Sequence, residues 1–529
     1  MSSFFSPFRK FFLQNASSTT RSNLKKIITV VPEKRRVVLW TGSALALACT
    51  GLYYFGMNEN PLKSSSVMMT DLWKNTRKSQ VDDESHWIGI TTQLHAEDLY
   101  QLYFGDVQSE EDLELIKVQI INRHGARTPI NAIPSFIDSK PWECLPYDSK
   151  VIVNGNSNDH AHFRAVMESD DGLELYGNCM KGQLTAKGSM QMVKVGKSLG
   201  DQYLKKLFGR YDEIDEIVKL IYVRSSDIRS RRTEYSAMYL LLGLLGENVK
   251  EYPTIHMFEE SRETLYGHFK VCAKLGSIIS KRLKTLAEET EKDPRLLEIR
   301  DKLLDLLEAN AAQPQPAQPQ TQEIHDKGLI EAKRVSTAKD LQQWESINNA
   351  FLGMLFHGHE LPKGITAQDV EYVSKHVGKS GSYLFSPQEN VLTMNIGMLL
   401  KHLVASMQHS GNKHLQKDLD RKKMEIYLAH DTTIIPILLA LNMYNDEWPP
   451  FAATLAFELY ATKKNPSKQF VKIVYNQQTL FLKPEHQEQF VQDSKTGLIP
   501  LDKFIEMTKP YRISRQEWTE MCKLDRPRN

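Results

Sequence analysis

The sequence predicts an α/β fold: a mostly parallel sheet flanked by helices, with a helical cap inserted into it and a transmembrane helix ahead of it. Three short, apolar, β-branched runs, 115–121 (LIKVQII), 217–223 (IVKLIYV) and 424–429 (MEIYLA), have the length and composition of buried parallel strands. A helical stretch over about 185–207 separates the first two, and strand, crossover helix, strand is the pattern of a parallel sheet. An uncharged run near the N-terminus predicts the membrane segment.

Residues 1–36 hold eight basic residues (Arg9, Lys10, Arg21, Lys25, Lys26, Lys34, Arg35, Arg36), one acid (Glu33) and frequent Ser and Thr. That composition is the one expected of a mitochondrial presequence; the alternative is the basic tail of a type II membrane protein. Residues 37–57 carry no charge over 21 positions, and about 20 such residues span a bilayer core. Trp40 at one end and Tyr53 and Tyr54 at the other suit the two interfaces, and Lys34-Arg35-Arg36 would hold the N-terminus on the matrix or cytosolic side. The basic stretch is too long for the front of a cleaved signal peptide, so a retained anchor is expected. The only N-x-[ST] sequon without Pro at x, Asn15-Ala16-Ser17, lies on the non-translocated side, which disfavours a Golgi or secreted enzyme. The expectation is a mitochondrial, membrane-anchored protein, with a Golgi type II protein as the alternative. Residues 58–110 read as a linker and N-terminal extension, and 111–525 as the main domain.

In that domain, Ala186, Met190, Val193 and Leu204 are expected on the inner face of the crossover helix, with Thr185 capping its start. Residues 455–460 and 470–475, on either side of a Lys-Asn-Pro turn, read as an antiparallel hairpin at the sheet edge. Residues of about 255–385 carry charged helical stretches interrupted at 311–322 by AAQPQPAQPQTQ, a mobile loop because alternating Pro forbids helix. This region is the expected helical cap.

Composition excludes whole classes. With 41% hydrophobic residues, 25% charged residues and a net charge of +2, the chain is neither disordered nor fibrous and has no global reason to bind nucleic acid. Five cysteines leave room for one or two bridges but not for a disulfide-dense scaffold.

The chemistry follows the strands. Asn122-Arg123-His124-Gly125-Ala126-Arg127-Thr128-Pro129 comes directly after the first, Arg224-Ser225-Ser226-Asp227 after the second, and His430-Asp431-Thr432-Thr433 after the third. Ligands of open α/β sheets bind outside the carboxyl ends of strands, so these segments could share one crevice. Guanidinium groups match phosphate oxygens and offset the charge of phosphoryl transfer. A neutral imidazole can attack phosphorus, and a carboxyl group can protonate the leaving alkoxide and then activate water. The arginines supply the positive charge, so neither a metal nor another cofactor is called for. His160-Ala161-His162 and His357-Gly358-His359 lack the companions of a zinc site, and Ser225 and Ser226 lack a nucleophile-elbow context.

NRHGARTP with AHDTT and VRSSD between them resembles the histidine acid phosphatase family, and the likeness extends from Leu115 to Cys522, weakest in the cap. Gly182-Gln183-Leu184-Thr185 with Gly188 and Gln191, and Trp448-Pro449-Pro450-Phe451-Ala452 with Phe457-Glu458-Leu459-Tyr460, agree with it. The resemblance implies a phosphoglycerate-mutase-like fold and hydrolysis of phosphomonoesters through a phosphohistidine. It makes His124 the nucleophile, Arg123, Arg127 and Arg224 phosphate ligands, His430 a further phosphate contact and Asp431 the proton donor. The His-Asp pair argues against the phytase branch. Glu447 through the ELY segment to Pro500-Leu501-Asp502-Lys503-Phe504 resembles most closely the family's mitochondrial lysophosphatidic acid phosphatase branch. That implies a lysophospholipid substrate. A monomer is expected. The alternatives are a Golgi-type enzyme acting on phosphorylated sugar and an anchored, non-catalytic lipid-binding homologue.

Overall fold

The computed structural model describes residues 109–130, 140–145, 147–152, 160–165, 177–209, 214–226, 231–247, 249–311, 344–410 and 421–524, with 104, 107 and 175. The expected presequence 1–36, the expected anchor 37–57, most of 58–110 and all but Ala311 of the Pro/Gln stretch lie outside the described residues. Among the described residues no helix is long and apolar enough to cross a membrane. Phe104, ahead of the expected domain start at 111, is buried and stacks on Phe470 at 5.2 Å between ring centroids.

Strand β1 (Leu113–Arg123) opens the sheet. A small hairpin of β2 (Tyr147–Ile152) and β3 (His160–Ala165) stands apart from it. The sheet continues with β4 (Ile221–Ser225), β5 (Ile255–His256), β6 (Met424–Ala429), β7 (Thr454–Thr462), β8 (Gln469–Tyr475), β9 (Gln478–Thr479) and β10 (Leu498–Pro500). Its order is β10-β8-β7-β1-β6-β4-β5, with β9 beside β8. The pairs β1–β6, β6–β4 and β4–β5 are parallel, whereas β1–β7, β7–β8, β8–β9 and β8–β10 are antiparallel. The sheet is therefore mixed in nearly equal parts, not mostly parallel, because its C-terminal strands meander through short connections. The β7–β8 hairpin is not at the edge: β7 lies against β1 and β10 covers β8. A strand as short as β10 leaves too little pattern to be read.

The parallel core fixes the site. Val223 and Ile120 both pair with Ile426, and Arg123 pairs with Ala429 and Ser225 with Leu428. The carboxyl ends of β1, β6 and β4 are thus level, and the chain leaves all three at the same rim.

Helix α1 (Ala186–Leu199) follows, and α2 (Ile214–Lys219) leads into β4. The expected second strand began too early, since Ile217–Lys219 is the last turn of α2. Asp215 and Glu216 in its first turn and Lys219 in its last suit the helix dipole. Helix α3 (Arg232–Leu245) packs along α1. Thr185 does cap α1, accepting from Gly188 N at 3.0 Å. The expected inner face is right in part: Leu204 is buried and Ala186 and Val193 are half-buried, but Met190 is 64% exposed, and the buried residues include Gly188, Gln191, Met192, Val195 and Gly196. Small residues set this face. A Cβ on Gly196 would lie 1.9 Å from Leu240 O and one on Gly243 2.0 Å from Val193 O, so the two helices touch backbone to backbone.

The cap opens with β5, a strand of the main sheet. It is otherwise helical as expected: α4 (Ala273–Thr290), α5 (Pro294–Ala311), α6 (Trp344–His357) and α7 (Ala367–Leu384). Helix α8 (Val391–Gln408) and α9 (Asp431–Ala440) then lie on the sheet. One continuous apolar core joins Ile121, Tyr427, Phe457 and Leu459 of the sheet to α8, α9 and the cap helices. Two disulfides, Cys144–Cys179 and Cys272–Cys522, staple the domain; the second ties the start of α4 to the last helix, Arg515–Met521.

Candidate active site

His124 is the first residue after β1, and its backbone is held from three sides. Its N–H donates to Ala429 O at 3.1 Å, its carbonyl accepts from Ala452 N at 3.0 Å, and Gly125 N donates to Ser236 Oγ at 3.0 Å. The next turn is packed too tightly for side chains. A Cβ on Gly125 would lie 2.6 Å from Gly188 O, and one on Gly188 1.9 Å from Ala126 O. Gln191 binds both sides of the crevice, accepting from Ala126 N at 2.9 Å and donating to Phe451 O at 3.2 Å.

His124 Nδ1 lies 2.8 Å from Gly125 O. A carbonyl only accepts, so Nδ1 carries the hydrogen and Nε2 keeps its lone pair. Burial, then the charges of Arg232, Arg123 and Arg127, hold the imidazole pKa well below its ordinary value, so the ring is neutral at working pH. It is a nucleophile with one nitrogen anchored and the other available.

Arg123 is fully buried. It donates to Pro449 O and, at 3.2 Å, to Asn349 Oδ1, pairs with Asp431 Oδ2 at 2.6 Å, and lies 4.5 Å from the centre of the Phe451 ring. Arg127 donates to Thr128 O at 2.9 Å and also faces Phe451. Nε of each is buried with no acceptor among the described residues. Such donors are costly to leave unmet and mark where an anion's oxygens fit.

The third arginine differs from the expected one. Arg224, within β4, donates to Glu263 Oε1 at 2.5 Å and to Thr264 Oγ1 at 2.9 Å, and stacks on Phe258 at 3.9 Å. Its charge is spent on Glu263. The residue missed is Arg232, the first of α3. After burial it is the largest influence on both His124 and His430, and one of its Nη atoms would be 3.5 Å from a Cβ on Gly182, beside the Leu184–Arg127 bridge. A signal existed: Arg231-Arg232 begins an apolar helix, where the dipole disfavours cations unless an anion joins them.

His430 follows β6, its Nε2 3.0 Å from Ser226 Oγ. Burial and then Arg232 lower its pKa to about 3, leaving it neutral and able to donate or accept. Asp431 begins α9. Its Oδ1 accepts from Thr432 N at 2.8 Å and its Oδ2 from Trp448 Nε1 at 3.0 Å. Burial pushes its pKa up, but Arg123, His430 and Arg127 outweigh this and lower it, so it is an anion paired with Arg123.

Five of the six expected residues, Arg123, His124, Arg127, His430 and Asp431, meet at this rim, and Arg232 joins them. His357 is engaged in packing: its Nδ1 donates to Gly353 O at 2.7 Å, its Nε2 meets Thr185 Oγ1 at 2.7 Å, and His359 stacks on Trp142.

A family model described as the histidine phosphatase superfamily, branch 2, matches residues 114–476. The chain belongs to that superfamily. It is a phosphomonoesterase of the histidine acid phosphatase type. Lysophosphatidic acid phosphatase type 6 of Bos taurus is 26% identical over 437 residues, which cover 78% of this chain and 86% of that one. 2-Phosphoxylose phosphatase 1 of Mus musculus is 24% identical over 411 residues, covering 75% and 77%. Among solved structures, the Hafnia alvei phytase in complex with myo-inositol hexakis sulphate has a TM-score of 0.50 at 16% identity, covering 79% of this chain and 100% of that one. That likeness shows the histidine phosphatase fold alone.

Proposed function

We propose that this histidine phosphatase hydrolyses lysophosphatidic acid to monoacylglycerol and phosphate through a phosphohistidine on His124. The observation that carries the chemistry is the neutral His124 ring, anchored through Nδ1 at Gly125 O and set among Arg123, Arg127 and Arg232. The three guanidiniums would bind the phosphoryl oxygens, with His430 as a further contact. Nε2 attacks phosphorus as the bond to the alkoxide breaks, and the Asp431 carboxyl gives that alkoxide its proton. Asp431 then takes a proton from water, the hydroxide displaces His124, and phosphate leaves. In the free enzyme Asp431 is held ionised by Arg123. A phosphate dianion that draws on Arg123 weakens that hold and raises the carboxyl's affinity for a proton.

The lipid substrate is supported by the likeness to the type 6 enzymes. A membrane-anchored, mitochondrial monomer without metal or other cofactor suits a substrate that resides in bilayers. Two disulfides fit a domain carried across a membrane into an oxidising compartment. Phosphorylated sugar, handled in the Golgi, is the second reading, favoured by the comparable likeness to the phosphoxylose enzyme.

The test is turnover of lysophosphatidic acid, a phosphorylated xyloside and an aryl phosphate. His124→Ala should abolish all turnover and any acid-labile phosphoenzyme. Asp431→Asn should slow the alkyl ester about 10²–10⁴-fold and the aryl ester much less, since a good leaving group needs less protonation. Equal losses would remove Asp431 from the donor role, and turnover of the xyloside alone would replace the lipid by the sugar.

A further inference from the structure

The carboxyl group that gives its proton to the leaving alkoxide is held unequally at its two oxygens. Asp431 Oδ2 lies 2.6 Å from Arg123 Nη2 and accepts from Trp448 Nε1 at 3.0 Å. Its Oδ1 accepts from Thr432 N at 2.8 Å and from no other donor among the described residues. A carboxylate oxygen offers two lone pairs, so Oδ2 is filled while Oδ1 keeps one. The two donors at Oδ2 also differ in kind. Arg123 is a phosphate ligand, and a bound dianion draws on it. Trp448 is neutral and buried, and its one polar side-chain atom is committed to Asp431. An indole N–H donates and cannot accept, so a carboxyl proton placed on Oδ2 would point at another hydrogen.

The segment that follows fixes the indole. Pro449 O accepts from Arg123, Phe451 O accepts from Gln191 Nε2 at 3.2 Å, and Ala452 N donates to His124 O at 3.0 Å. The Phe451 ring lies 4.5 Å from the Arg123 guanidinium carbon. Residues 448–452 are thus tied to the nucleophile, to a phosphate ligand and to the proton donor, so the indole keeps its place if the carboxyl turns.

We propose that Trp448 is a positioning residue for the general acid: its N–H, able only to donate, holds Asp431 Oδ2 and directs the carboxyl proton to Oδ1, which serves the leaving alkoxide and then the attacking water. The inference rests on the phosphatase reading and on Asp431 as its proton donor. In the first step the O–H bond at Oδ1 breaks as the alkoxide takes the proton, and the electron pair stays on the carboxylate. In the second, water returns a proton to Oδ1 as its oxygen bonds to phosphorus and the bond to His124 breaks. While phosphate occupies Arg123, Trp448 is the donor that remains on Oδ2.

The test uses the full chain and compares kcat/KM for an alkyl and an aryl phosphate monoester. W448F removes the N–H and keeps an aromatic ring. Benzothienylalanine in place of Trp448 removes the N–H and keeps the bicyclic volume, so it answers if W448F does not fold. In either variant the alkyl ester should lose about tenfold, the worth of one hydrogen bond to a charged group, and the aryl ester no more than about twofold. The lost N–H had favoured the ionised carboxyl, so Asp431 should keep its proton to higher pH and the basic limb for the alkyl ester should move up by about half a pH unit. Arg123, Arg127, His430 and Arg232, the charged and titratable groups acting on Asp431, are unchanged in both variants. In a D431N background the same substitutions should alter the alkyl-to-aryl ratio less than about twofold, because Trp448 acts through the carboxyl. Equal losses on the two esters, an unmoved limb, or a full further tenfold change of the ratio in D431N overturns the positioning role and leaves the phosphatase intact. An unaltered protein that turns over neither ester overturns both.

Discussion

Arg224 and Arg232 are eight positions apart, and only Arg224 was expected in the crevice, but their surroundings give the two different work. Arg224 is buried against Glu263, so Arg224→Ala would leave a carboxylate without its partner and cost about 3–5 kcal/mol of stability. Arg232→Ala should leave the fold standing and lower kcat/KM about 10–100-fold through the loss of one charge-assisted phosphate contact. Denaturation midpoints and KM measured on the two variants separate these outcomes. A normal midpoint with raised KM for Arg224→Ala would return it to the phosphate site. At this scale the motif residues His124, Arg123, Arg127, His430 and Asp431 were legible because each lies at the end of a strand of recognisable pattern or within the few residues that follow it. Arg232 was not, because it belongs to a helix start, where the choice between solvent and anion depends on which loops stand opposite.

Elements whose packing rests on apolar side chains were read well. β6 spans the expected residues, and β1 extends the expected run by two residues at each end. Helix α1 was found with Met190 placed on the wrong side, since part of its inner face is glycine, which carries no hydropathy signal. Backbone contact at Gly188 and Gly196 brings α1 close enough for Gln191 to reach both Ala126 and Phe451. Gly188→Ala would therefore drive a methyl group into the Ala126 carbonyl and displace the loop that carries His124 and Arg127. A displacement of about 1 Å in such a site costs on the order of 10²-fold in kcat. Helical content by circular dichroism should change little, which distinguishes a displaced site from a lost fold. Activity within twofold of the unaltered protein would mean that the loop is more compliant than this packing implies.

For the whole molecule, the cap and sheet share one core, and the Cys272–Cys522 bridge adds a covalent tie between cap and C-terminal helix. Neither bridge could be paired from spacing alone, since the sequence separations are 35 and 250. Replacing Cys272 and Cys522 by Ser should lower the unfolding free energy by about 2–4 kcal/mol, read as a shift in denaturant midpoint, with His124 chemistry retained. A midpoint unchanged from that of the disulfide-bonded protein would show that the shared core alone holds the cap. The separations also set how much each bridge constrains the unfolded chain. Cys144–Cys179 closes a loop of 35 residues, whereas Cys272–Cys522 closes one of 250. The longer loop has more freedom to lose, so the second bridge takes more disorder from the unfolded chain than the first. Opened by a reductant, the protein would keep its cap on the sheet by packing alone, while the route back from the unfolded state would lengthen.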